Sequence, residues 1–124
     1  MNNLITVRGL MDAKEFVESL KSECRDAAVT GCVEDFTSPP GRHPDPELVE
    51  LSQWFASLSE KDREMVVRVM SEAADATLFG VLCVLDGVRA IEGAGTKSTF
   101  HLTAIKNNQE SSICPGPIFL HDLK

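Results

Sequence analysis

The sequence predicts an α+β fold with its helices first and a β-hairpin last, and three observations carry that prediction. Apolar residues recur every three or four positions through most of the first 92 residues, the period of a helix with one buried face. After 93–96 (GAGT) the period changes to two, which is that of a strand. Every proline falls between these segments or at their edges rather than inside them. The expected order is three main helices at about 12–29, 46–58 and 60–92. A hairpin at about 98–106 and 110–114 and a short docked tail complete a single domain spanning 1–124.

Residues 2–9 open as a small edge strand or an irregular lead-in at Leu4–Val7. Asp12 is placed to cap the first helix, whose inner face reads Ala13, Phe16, Val17, Leu20, Cys24, Ala27 and Ala28, with Gly31 expected to end it. Residues 30–46 then form a proline-rich loop, TGCVEDFTSPPGRHPDP. Asp45 and Pro46 make an N-cap and N1 pair for the second helix. It turns Leu48, Leu51, Phe55 and Leu58 inward, with Trp54 on the margin and available to a partner.

The stretch 59–92 organises the rest. Ser59 caps it, and Glu60, Asp62 and Glu64 place negative charge where the helix macrodipole favours it. Its first half is amphipathic. From Ala76 to Leu85 it reads ATLFGVLCVL, apolar on all sides, which predicts enclosure on all sides. That run is well short of the roughly 20 residues a bilayer requires, so no membrane span is expected. Asp75 and Asp86 bracket it, and each should have a partner or a route to water. A straight helix over 59–92 would be about 50 Å long, against a diameter of about 35 Å for a domain of this size. A bend at Gly80 together with a contact to a second copy resolves the mismatch.

Beyond this helix, Phe100, Leu102 and Ala104 alternate with Thr99, His101, Thr103 and Ile105, and Asn107-Asn108 supplies a hairpin turn. Pro115 and Pro117 end the second strand. The tail IFLHDLK is apolar enough to dock.

Composition narrows the function classes. Apolar content of 43% and charged content of 25% are those of a soluble globular protein. With 12 basic residues against 19 acidic, the net charge of −7 argues against nucleic acid and against anionic membranes. The first residues carry neither the basic nor the apolar region of a signal peptide. The four cysteines form no CxxC pair, so reduced thiols and a cytoplasmic location are expected.

Candidate chemistry is sparse. The segment 93–98, GAGTKS, departs from a phosphate-binding loop, because Thr96 precedes the lysine and a strand follows where a helix is required. Asp75 and Asp86 lie about 16 Å apart along a helix, too far to share an ion, and no metal site or cofactor is assigned. Pairing Cys114 with His121 would offer a nucleophile and a base by residue type alone. The polar set that needs an account is Asp86, Arg89, His121 and Asp122. It reads first as a structural latch, with Asp86 and Arg89 one turn apart and the LHDL tail beside them. Its alternative is a ligand-binding pocket between the central helix and the hairpin.

The segments LFGVLCVLDGVRAIE (78–92) and FLHDL (119–123) resemble those of a set of small bacterial proteins of unknown function. The resemblance runs over about 51–123 and implies a bacterial cytoplasmic protein, with no activity or catalytic residue attached. The functional expectation is therefore a small acidic protein acting by protein–protein contact, as a homodimer or with another protein partner. An immunity-like or accessory role suits its size and charge by analogy. A small-ligand binder or enzyme is the alternative, and no catalytic residue is assigned.

Overall fold

The structure, a computed structural model, describes residues 9–124; the Leu4–Val7 lead-in lies outside them. The order is α1 (Ala13–Leu20), a π-helical segment (Lys21–Asp26), α2 (Ala27–Thr37), α3 (Pro46–Ser57), α4 (Glu60–Leu85), β1 (Leu102–Lys106), β2 (Gln109–Cys114) and a 3-10 turn (Leu120–Leu123). The first three are one continuous helical stretch, so the architecture is three helices, an antiparallel hairpin and a closing turn. The described residues divide into two compact units, one of residues 9–21 and 78–124, the other of residues 22–77. Both boundaries fall inside helices.

The hairpin closes through Asn107 and Asn108, both at positive φ (51° and 63°), as a two-residue turn whose twist matches that of the strands requires. Pairing runs from Lys106 with Gln109 to Thr103 with Ser112, then slips, so that Leu102 faces Cys114. Ile113 is the extra residue. This bulge breaks strict alternation, and consecutive residues Ile113 and Cys114 are both buried. They join Val17 of α1, Leu78 and Leu82 of α4 and Leu120 of the 3-10 turn in the core of that unit. In the other unit α2 packs on α3 through Phe36 and Phe55, with ring centroids 5.8 Å apart. The Ser52 hydroxyl there donates to the Phe36 carbonyl at 2.5 Å.

Several expectations are corrected. The first helix runs to Thr37 rather than to about 29, passing through Gly31, so the connecting loop shrinks from 30–46 to 38–45. Val29, Val33 and Phe36 continue the helical rhythm, and an isolated glycine costs only about 1 kcal/mol. Leu51 is exposed rather than inward. The first hairpin strand is shorter at its start, beginning at Leu102 rather than 98.

A further correction concerns α4, which stops at Leu85, seven residues short of 92. Gly87 adopts φ 77°, the Gly87 amide donates to Val84 O and the Val88 amide to Cys83 O. This is a Schellman stop with Asp86 as the C-cap residue. Twenty-six residues make about 39 Å, and the helix continues unbroken through Gly80. Gly80 has a different role: the Arg89 guanidinium occupies the space a β-carbon there would fill. At Gly87 no atom opposes a β-carbon, so Gly87→Ala should cost only the left-handed backbone penalty, about 1 kcal/mol. A shift in the urea midpoint at constant m-value would measure it.

Nor is the apolar run of α4 enclosed on every side. Leu82 and Cys83 are buried, whereas Phe79 and Val81 are 38% and 50% exposed. One face meets the core formed with α1, β2 and the 3-10 turn; the opposite face does not.

Candidate functional site

Asp86 sits where a carboxylate is least welcome, at the C-terminal end of a helix whose last carbonyls are already electronegative. Its side chain is only 2% exposed. Three donors offset that placement. Oδ1 accepts the Leu120 amide at 2.9 Å, and Oδ2 accepts both the His121 amide at 2.9 Å and His121 Nδ1 at 2.6 Å. The two amides are the free donors at the start of the 3-10 turn, which has no cap of its own. Asp86 thus ends α4 and caps an element 34 residues later.

His121 packs against two phenylalanine rings. Phe119 stacks on it with centroids 5.3 Å apart and planes at 22°, and Phe79 of α4 meets it edge-on at 5.8 Å and 89°. Its Nε2 lies 3.4 Å from Asp122 Oδ1, and the Asp122 side chain is 60% exposed. Lys124 Nζ stands 5.8 Å from the Phe79 ring centroid. The structure therefore brings Asp86, His121 and Asp122 together. It leaves Arg89 apart, because α4 ends before Arg89 and the chain turns back over Gly80. A depression of about 220 Å³ has Asp86 in its lining together with Phe100, His101 and Phe119.

The other bracketing carboxylate, Asp75, stands 3.5 Å from Arg25 Nε. Arg25 also pairs with Asp26 at 2.6 Å, and its hydrogen bond to Asp26 raises the guanidinium pKa further. Trp54, the candidate partner contact on α3, is 51% exposed beside the buried Phe55.

Cys114 has none of the surroundings of a nucleophile. Its Sγ lies 3.7 Å from Leu85 O and 3.9 Å from Phe100 O. Burial, aided by the charge of Asp86, pushes the thiol above its ordinary 9.0, so less thiolate forms, not more. The raised folded-state value means that its contribution to stability is complete below about pH 9 and lost as the pH rises beyond it. Cys24 and Cys32 are exposed and Cys83 and Cys114 buried. A thiol-reactive disulfide reagent at pH 8 should accordingly titrate two cysteines in the native chain and four in denaturant; early modification of Cys114 would contradict this burial.

Among the described residues no group of three His, Cys, Asp or Glu side chains could hold a metal ion, and no helix is long and apolar enough to cross a membrane. No protein-family model, curated protein or solved structure matches this chain.

Proposed function

We propose that this chain is a small acidic accessory protein of the bacterial cytoplasm that works by protein–protein contact, beginning with contact to a second copy of itself. The observation that carries this reading is the imbalance of burial in the unit of residues 22–77. Phe55 is its one buried residue. Leu51 and Trp54 on α3 are 46% and 51% exposed, and Met65 and Val69 on α4 are 48% and 66% exposed. Helices gain most of their stability from packing an apolar face, and large apolar side chains left in water are the raw material of interfaces. Two exposed, unpaired cysteines support a reducing compartment. An immunity-like role remains an analogy from size and net charge.

Sedimentation equilibrium at micromolar concentration tests the self-association. The expected species has twice the 13.5 kDa chain mass, and Trp54→Glu combined with Val69→Glu should return it to the monomer while helical circular dichroism is unchanged. A wild-type monomer up to about 100 µM, weaker than the usual range for specific association, would defeat the reading.

A further inference from the structure

A groove of about 510 Å³ opens within the unit of residues 22–77, where the ends of α2 and α3 meet the first turns of α4. Its volume falls in the range of small-molecule sites. Val33, Phe36, Phe55 and Val67 supply an apolar lining, and the tilted Phe36–Phe55 pair at 5.8 Å gives it an aromatic wall. The Thr37 hydroxyl is committed to the Val33 carbonyl at 2.8 Å. The polar groups left to meet a ligand come from α4.

These are Glu60, Arg63 and Glu64. Both glutamates are exposed, whereas Arg63 is half-buried. Its guanidinium makes no hydrogen bond or ion pair with any described residue. A guanidinium carries five donors in a planar fork that matches a carboxylate, and beside an apolar wall that match is stronger than in water. We propose that the groove binds an amphipathic monocarboxylate, with its apolar tail against Phe36 and Phe55 and its carboxylate on Arg63. Glu60 and Glu64 confine the ligand to a single negative charge, since a second would meet two carboxylates on the same rim. This site is separate from Asp86 and His121 and does not depend on self-association.

Titration of the full chain with decanoate, followed by amide chemical shifts, tests it. Saturable binding is expected, with shifts centred on Val33, Phe36, Phe55 and Arg63. Arg63→Met should weaken decanoate at least about tenfold, the usual scale for losing a hydrogen-bonded charge, while decanol binding changes less than about twofold. Decanedioate should bind more weakly than decanoate. Decyltrimethylammonium binding as tightly as decanoate would overturn the assignment, because the glutamates would then rule the rim. Unchanged decanoate binding by Arg63→Met, or no saturable binding by the wild type, would overturn it as well.

Discussion

Asp86→Asn is expected to destabilise the fold by about 3–5 kcal/mol, the scale for removing one partner from a buried, charge-assisted cluster. The carboxylate receives three donors with its side chain 2% exposed. An amide in its place can still accept from Leu120 N–H. Its NH₂ would then point at the His121 backbone amide, donor against donor, and could bond Nδ1 only with the imidazole proton moved to Nε2. Urea unfolding should show a lower midpoint with little change in slope, and the 3-10 turn should lose amide-exchange protection first. Asp122→Asn provides the control. That side chain is 60% exposed, so its replacement should stay within about 0.5 kcal/mol. If the two variants unfolded alike, the Asp86 bonds would not be holding the tail.

Leu82→Ala should cost about 2–5 kcal/mol, whereas Val81→Ala, one residue away on the same helix, should cost under 1 kcal/mol. Leu82 is fully buried among Val17, Ile113 and Leu120, and truncating it leaves a cavity that those neighbours, held on three different elements, close only in part. Val81 is 50% exposed, and alanine is the better helix former by a few tenths of a kcal/mol. Thermal or urea unfolding of the two variants measures the asymmetry of α4 directly. Equal losses would mean that Val81 is covered, and a dimer interface reaching that face is one arrangement that would cover it. Repeating the comparison across a hundredfold range of protein concentration separates the two cases, because only an interface makes stability concentration-dependent.

What could be read from the chain was whatever depends on neighbours in sequence. The period of three to four and the later period of two set the helices-then-hairpin order. Asp12, Asp45 and Ser59 each accept an amide hydrogen bond at a helix start, and Asn107-Asn108 makes the turn. Asp86, His121 and Asp122 stood out because charge beside an apolar run needs a partner.

The tertiary structure decided the rest. Whether Gly31 ends a helix depends on whether Val33 and Phe36 find something to pack on, and α3 provides it. Ending the helix early assigned part of the groove lining to a loop, and so concealed the groove. Gly87 could be an ordinary helical residue until the chain beyond it turns back. Once it does, α4 ends, Arg89 is carried from Asp86 to Gly80, and Asp86 is free to cap the turn at Leu120. An apolar run likewise says that burial is favourable, not that enough chain exists to bury every side. Local pattern reports what each residue would gain from a partner; only the packed chain allots the partners, because one surface cannot cover two.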